Sequence, residues 1–320
     1  MPSTNRAPQL TVVMAVYNGS AFLRTAIDSV LQQTYSDFLL LIVDDASTDD
    51  TREIVGSYGD DRIILKTLKE NVGQTAALNI GIREATTPWI ARLDADDYSA
   101  PNRFEEQMRA LEADSSIRCV GTHVWMFRDD PEFVDAIFET PESHQEIKQG
   151  LLRGSSMVHG SIVADRAALL EIGGFDERYK YVADLEMYDR LLAKYKAANI
   201  PMQLVGIRQH SGQTSGTKLA YDEAIAICSR RLETDGYTKV EASTIRATLS
   251  RAYLYRSRCG WDEHRFSNRV KDLARAVRIS PNTFVWNFCL AYIFSRFSSP
   301  HQSALRRVLA RSAPKFLTGR

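Results

Sequence analysis

Apolar positions in the first 115 residues alternate between two periods. Leu10–Tyr17, Phe38–Val43, Arg62–Leu68 and Trp89–Leu93 are short, mainly apolar runs of strand length. Between them, Phe22, Ala26 and Val30 form one i, i+4 row and Leu23, Ile27 and Leu31 another, the spacing of a helix face. Ser47-Thr48-Asp49-Asp50 fits a capping box opening a second helix that runs to about Tyr58. Thr75–Ala85 and Arg103–Ala113 are the next two helices. This β–α rhythm predicts an α/β fold with a mostly parallel sheet and helices on both faces.

The rhythm then changes. Arg118–Phe127 and Met157–Ala164 read as strands, with Ser143–Leu151 a short helix between them. Gly173-Gly174-Phe175-Asp176 is a turn. Ala183–Ala197 reads as a helix with Leu185, Tyr188, Leu192 and Tyr195 along one face, and Gln203–Ile207 as a short strand. Gln209–Thr217 is polar and rich in Gly and Ser, hence a loop or lid. From Lys218 strong helix formers dominate, so residues 218–320 are expected to be helical, in four or five segments. The boundaries so drawn are 8–115, 116–217 and 218–320.

Composition adds mostly exclusions. With 320 residues, 44% hydrophobic and 25% charged, the chain is an ordinary globular one. Lys+Arg and Asp+Glu are 40 each, so net charge gives no argument for nucleic acid. Cys119, Cys228, Cys259 and Cys289 lie far apart with no CxxC pair, which indicates neither a zinc site nor a disulfide framework. Free thiols in a reducing compartment are the default. Leu10–Tyr17 is too short and wrongly flanked for a signal peptide, and no segment approaches the ~20 apolar residues of a membrane span. A cytoplasmic site is therefore expected.

Charge is uneven, however. After Asp272 there is no acid, yet Arg275, Arg278, Arg296, Arg306, Arg307, Arg311, Lys315 and Arg320 follow, and Phe284–Phe294 is apolar except for Asn287. Such a stretch, 273–320, suits peripheral contact with an anionic membrane surface. It equally suits a helical appendage packed on the main domain with its basic residues solvated.

The sharpest chemical signal is Asp94-Ala95-Asp96-Asp97, directly after the apolar run ending at Leu93. Three carboxylates at a strand end repel one another and lose solvation unless a cation joins them. Asp94 and Asp96 lie two apart in an extended chain and face one side. Mg²⁺ or Mn²⁺ prefers such oxygen ligands and commonly bridges to phosphate. A second acidic strand end, Asp44-Asp45, and Tyr17-Asn18 after the first strand complete a set from three strands. In parallel sheets ligands bind beyond the carboxyl ends of strands, so these residues can converge on one crevice.

Together the motifs resemble those of the GT-A, family-2 inverting glycosyltransferases. Ala15-Val16-Tyr17-Asn18 resembles the first-strand motif. Val43-Asp44-Asp45-Ala46-Ser47-Thr48-Asp49 resembles the second, where the family usually has Gly at the Ala46 position. Asn71-Val72-Gly73-Gln74 with Asn79 resembles the segment before the metal motif, which Asp94-Ala95-Asp96-Asp97 matches. Gly173-Gly174-Phe175-Asp176 and Ala183-Asp184 match later acceptor-side motifs, with Ala183 where the family usually has Glu. The likeness covers about residues 8–215. It implies a nucleotide-sugar-binding half over 8–115, an acceptor-binding half over 116–217 and an added helical region.

The resemblance also implies roles. Asp45 would accept a hydrogen bond from a pyrimidine imide, Ser47 being free to cap the following helix. Ala15 and Tyr17 lie where base and ribose pass, although Tyr17 is equally a core aromatic. Asn71, Gly73, Gln74 and Asp94 would line the nucleotide, with Asp94 on the ribose or an ordered water. Asp96 would be the metal ligand and Asp184 the general base. Glu186 and Asp189, three apart on one helix face, are the rivals of Asp184, or simply exposed. Arg208 would meet the diphosphate, and His210 metal or phosphate. His159, on the Met157–Ala164 strand, lines the acceptor site or is a satisfied core residue.

The reaction expected is transfer of a sugar from a nucleotide diphosphate sugar, a UDP-sugar first, to a hydroxyl of a glycan or lipid-linked glycan. Two rivals remain. A sugar-nucleotide nucleotidyltransferase needs an early Gly-rich basic loop, and Ala15–Ser20 has one Gly and no Lys or Arg. A catalytically inactive nucleotide-sugar-binding assembly subunit would bind donor without turnover. A dinucleotide dehydrogenase is disfavoured because no GxGxxG follows the first strand.

Overall fold

The computed structural model describes residues 8–154, 156–210, 217–257, 259 and 266–280. The chain divides into two compact units, Met1–Leu151 with Ser155–Gln213, and Leu152–Gly154 with Thr214–Arg320.

In the first unit, β1 (Leu10–Val16), β2 (Phe38–Asp44), β3 (Ile63–Thr67) and β4 (Trp89–Arg92) pair in parallel in the order β3-β2-β1-β4. Helices α1 (Leu23–Leu31), α2 (Thr51–Gly56) and α3 (Gln74–Glu84) connect them. The period-two pattern of β1 sorts its faces. Leu10, Val12 and Met14 join Leu23, Ile27, Val30 and Ile54, together with Phe104 and Met108 of α4 (Arg103–Ala113), in one core. On the other face Ala15, Leu41 and Val43 meet Ala77 and Ile80 of α3. A Cβ on Gly81 would stand 2.4 Å from Val13 Cγ1, so α3 sits on β1 at a distance only glycine permits.

Beyond β4 the sheet is mixed. Its order continues β4-β8-β6-β9-β5, where β5 is Tyr98–Ser99, β6 Ile117–Phe127, β8 Val163–Asp165 and β9 Lys196–Arg208; β7 (Ala136–Phe138) pairs with β6. Strands β1 to β4, β6 and β9 run one way, and β5, β7 and β8 the other. The remaining helices of this unit are α5 (His144–Leu151), α6 (Arg166–Glu171) and α7 (Ala183–Lys194).

Two expectations are corrected here. The helix read as Ala183–Ala197 stops at Lys194, because β6 needs a partner and Lys196, Ala197 and Ala198 supply it. The strand read as Met157–Ala164 is a 3₁₀ turn, His159–Ser161, followed by the three residues of β8. Fully buried Arg103 and Gln107 of α4 explain the interruption. Arg103 Nη2 donates to the carbonyls of Arg92 and Ile162, and Gln107 Nε2 to those of Val120 and Ser161. Burial, reinforced by the nearby Arg92 charge, pulls the Arg103 guanidinium down to about 9.

The second unit contains α8 (Lys218–Glu233), α9 (Lys239–Arg256) and α10 (Phe266–Ile279). Thr217 caps α8, and Thr238 with Glu241 forms a full capping box on α9. Leu152, Ile225, Cys228, Ile245, Leu249 and Ala252 form its core. Arg256 pairs with both Asp222 and Asp272. No helix among the described residues is long and apolar enough to cross a membrane. The apolar and basic stretch from 281 onward and most of the predicted lid lie outside the described residues.

Candidate active site

Register brings the strand ends together. Val16 lies beside Asp44, and Arg92 beside Val13. The loops that follow β1 and β2 are stitched to each other by side chains. Asn18 donates its backbone N–H to Ser47 Oγ at 2.9 Å and its side-chain oxygen accepts from Thr48 at 2.8 Å. Gly19 donates to Thr51 Oγ1 and Ser20 to Asp49 Oδ2, each at 2.9 Å. Partial burial pushes the Asp49 carboxyl up, but bonds from Thr51 and Ser20 more than reverse this and hold it at about 2. The expected capping box is therefore corrected: α2 starts at Thr51, and Ser47 holds the β1 loop instead. Asn18 and Ala46 both adopt left-handed backbone, φ 52° and 62°, the conformation glycine would take at the Ala46 position without strain.

Asp45 is buried and receives the backbone N–H groups of Val72 and Gly73 at 2.7 and 2.8 Å, one per carboxylate oxygen. Asn71 Nδ2 donates to the Asp45 carbonyl, and Gly73, with φ 88°, turns the chain into α3. Each carboxylate oxygen retains a second lone pair for a ligand. Asp44 accepts from the Ser47 N–H and so supports the turn after β2. Tyr17 is 51% exposed at the end of β1, which removes the core-aromatic reading.

The acidic turn follows β4. One carboxylate oxygen from each of Asp94, Asp96 and Asp97 lies within 4.8 Å of the others. Asp94 pairs with buried Arg92 and accepts from Gln74 Nε2 at 2.9 Å. Asp96 Oδ2 is 2.8 Å from His210 Nε2, and the His210 ring packs on Phe22 with centroids 5.0 Å apart. Burial, then the charges of Asp94 and Asp96, raises the Asp97 carboxyl well above its usual value, against the pull of the Arg208 N–H and Arg92. Burial likewise works against the Arg92 charge, but Asp94 and its neighbours outweigh it. Three carboxylates at this spacing, with the His210 imidazole beside Asp96, make an oxygen-rich set that fits Mg²⁺ or Mn²⁺.

Arg208 closes this corner. Its N–H donates to Asp97 Oδ1 at 3.0 Å, its Nε to the Asp96 carbonyl at 2.9 Å, and its Nη1 to the carbonyls of Arg128 and Asp129. The guanidinium lies between the Phe22 and Phe127 rings, 4.7 and 4.5 Å from their centroids. These contacts hold the acidic turn in place.

Asp184 occupies the first turn of α7, partly covered. Burial raises its carboxyl; the Leu185 N–H and Arg92 oppose this, and Asp94 adds to it. Asp184 therefore feels both members of the Arg92–Asp94 pair. Of its rivals, Glu186 is buried against Arg190 rather than exposed, a correction: at 3% exposure it needs that ion pair. His159 packs edge-on against Phe175, and burial followed by Arg92 drives its pKa well below the usual value. Its Nε2 and the Arg92 Nε are buried with no hydrogen-bond partner among the described residues.

Two residues at the acidic turn, Arg92 and Asp97, had no role assigned from sequence. Arg92 was hidden inside a run read as apolar, although a charge in a buried strand must find a partner. Asp97 was read as part of the motif, but its burial follows from β9 packing, which the strand read as Gln203–Ile207 understated.

An acidic turn after β4, tied through Gln74 to the loop that holds Asp45, with the Asp184 carboxylate of α7 within its electrostatic reach, is the arrangement of the GT-A-like sugar transferases. The same fold occurs in TarS 1-349 of S. aureus, with TM-score 0.65 and 15% identity over 95% of this chain and 88% of that one, and in its complexes with UDP and UDP-GlcNAc. It also occurs in the mannosyltransferase PcManGT of Pyrobaculum calidifontis with GDP-Man and Mn²⁺, TM-score 0.59 and 16% identity over 98% and 88%. The Glycosyl transferase family 2 model matches residues 11–173, and the chain belongs to that family. Among its relatives, the putative glycosyltransferase EpsE of Bacillus subtilis is 30% identical over 79% of this chain and 94% of its own. The O-antigen biosynthesis glycosyltransferase WbnJ of Escherichia coli is 30% identical over 69% and 87%.

Proposed function

We propose that this glycosyltransferase is metal-dependent and inverting, and moves a sugar from a UDP-sugar to a hydroxyl of a lipid-linked surface-glycan intermediate. The observation that carries the reading is the meeting of Asp45, the Asp94–Asp97 turn, His210 and the α7 carboxylate at one end of the sheet. Asp45 recognises the base through its free lone pairs, and Ala15, Tyr17, Asn71, Gly73 and Gln74 line the nucleotide. Asp96 and His210 would hold Mn²⁺ or Mg²⁺, with Asp94 and Asp97 close by. A cation bound there would supply positive charge to offset that of the leaving diphosphate.

Asp184 accepts the proton of the acceptor hydroxyl. The bond from that oxygen to the anomeric carbon forms as the bond to the diphosphate oxygen breaks on the opposite face, which inverts the configuration. Burial raises the Asp184 carboxyl above the usual aspartate value, which makes it a stronger base than an exposed one. Arg208 acts by positioning the acidic turn, and His159 lines the acceptor side as a neutral imidazole. The surface-glycan acceptor is supported by the O-antigen role printed for WbnJ and by the basic, apolar sequence of 273–320 as a peripheral membrane contact. UDP is favoured by the likeness to the UDP-bound TarS structures. The test is sugar transfer by Asp96→Asn and Asp184→Asn, read by UDP release from a UDP-sugar panel; wild-type turnover in either variant removes that residue's role.

A further inference from the structure

Helix α3 touches both sides of the site. Its N-terminal turn belongs to the donor side, where Val72 and Gly73 donate to Asp45 and Gln74 donates to Asp94. One and five residues after Gln74, Thr75 and Asn79 reach a different part of the chain. Thr75 Oγ1 donates to the Tyr179 carbonyl at 2.9 Å. Asn79 Nδ2 donates to the Phe175 carbonyl at 2.8 Å and to Glu177 Oε1 at 2.9 Å, while its Oδ1 accepts the Phe175 N–H at 2.8 Å.

The loop is moulded around the Asn79 amide. Gly174 has φ +68°, and a Cβ there would stand 2.5 Å from Asn79 Oδ1. Asn79 is buried, and both ends of its amide are spent on one loop. An apolar residue would fill the same space, but it would leave the Phe175 N–H and carbonyl buried and unpaired. The loop so fixed leads through residues 180–182 into α7, whose second residue is Asp184.

We propose that Asn79, supported by Thr75, is a positioning residue: through it α3 acts as a strut that sets the 174–179 loop, and hence Asp184, against the donor-side carboxylates. This inference rests on Asp184 as the base. A misplacement of about 1 Å between base and acceptor is enough to cost ~100-fold in rate, while donor contacts made by the first turn of α3 stay intact.

The experiment compares full-length wild type, Asn79→Asp, Thr75→Val and Asp184→Asn. Asn79→Asp keeps the shape and the acceptor for the Phe175 N–H, but turns the donor toward the Phe175 carbonyl and Glu177 into an acceptor. Three quantities are read: UDP affinity with Mn²⁺, turnover as UDP release at saturating UDP-sugar, and amide hydrogen exchange. The expected result for Asn79→Asp is UDP affinity within about 2-fold of wild type with turnover down about 10-fold or more. Exchange should accelerate over 175–187 and stay unchanged over 38–56. Thr75→Val should move the same way by a smaller factor, and it decides the matter should Asn79→Asp fail to fold. Unchanged exchange at 183–187 in both variants, or UDP affinity falling in step with turnover, overturns the strut. Should Asp184→Asn keep wild-type turnover, the base assignment falls and the strut with it. Should Asp184→Asn lose turnover while Asn79→Asp and Thr75→Val do not, the strut alone falls.

Discussion

On the proposed donor side, Asp45 receives the N–H groups of Val72 and Gly73, and Asn18 receives Thr48, contacts that link neighbouring strand-end loops about 30 residues apart. On the acceptor side, Asn79 reaches Phe175 across 96 residues, and Arg208 reaches the Asp96 carbonyl across 112. The donor half is thus assembled by topology. Parallel strands joined by short crossovers deliver their ends to one place, and backbone amides do much of the holding. The proposed acceptor half hangs from a mixed patchwork, in which β6 and β9 pair in parallel and β5, β7 and β8 run against them, and buried polar side chains fix it. Changes on the donor side should therefore act on ligand binding, and changes on the acceptor side on geometry and turnover.

The largest expected effect is on Asp96→Asn. Turnover should fall by about 100-fold or more, and Mn²⁺ should no longer strengthen UDP binding, as read by calorimetry. If UDP binding keeps its full metal dependence, the division between the halves is drawn in the wrong place.

Next comes Gly174→Ala. A Cβ against Asn79 Oδ1 combined with positive φ should cost about 2 kcal/mol or more, measured by denaturant unfolding. Folded protein should show impaired turnover with near-normal UDP binding. A variant as stable as wild type would show that the acceptor loop is not tightly moulded.

The pH profile sharpens the role of Asp184. A raised carboxyl means that the proposed base is protonated and inactive below its folded pKa, so turnover should rise with pH through a limb lying above the usual carboxylate value of 3.8. A limb at or below that value contradicts burial as the dominant influence.

Smaller effects concern stability. The Asp97 carboxyl binds its proton more tightly folded than unfolded, so its contribution is fully favourable below the unfolded pKa. It is lost as pH rises through the raised folded value. Asp97→Asn should therefore raise metal-free stability at pH 7 by about 1 kcal/mol in urea unfolding, with Arg208 still bonded to the side-chain oxygen. Smallest is Ala46→Gly, which relieves left-handed strain on the donor side and should stabilise by up to about 1 kcal/mol without altering turnover.

The same contrast explains what the residues revealed in advance. Strand ends, the acidic turn and the alternation of β1 to β4 were legible, because each depends on local periodicity and on a rule of sheet topology. Ala46 stands where the family usually has Gly, and its φ of 62° gives that difference a backbone meaning. The 3₁₀ turn at His159–Ser161 was not legible, because it forms where Arg103 and Gln107 capture carbonyls from 11 to 59 residues away. The full length of β9 was missed for a similar reason: Lys196-Ala197-Ala198 are good helix formers, and the open edge of β6 overrides that preference. Burial of Glu186 depended on the distant packing of Arg190 with the Ile172 carbonyl.

The most direct test of a metal-dependent UDP-sugar site is calorimetric binding of UDP, GDP and CDP to the full chain, each with Mn²⁺ and with EDTA. Binding selective for UDP and lost in EDTA is the result predicted by Asp45 on the base and Asp96 with His210 on the metal. UDP binding of equal strength in EDTA, or no diphosphate bound by folded protein, would contradict it.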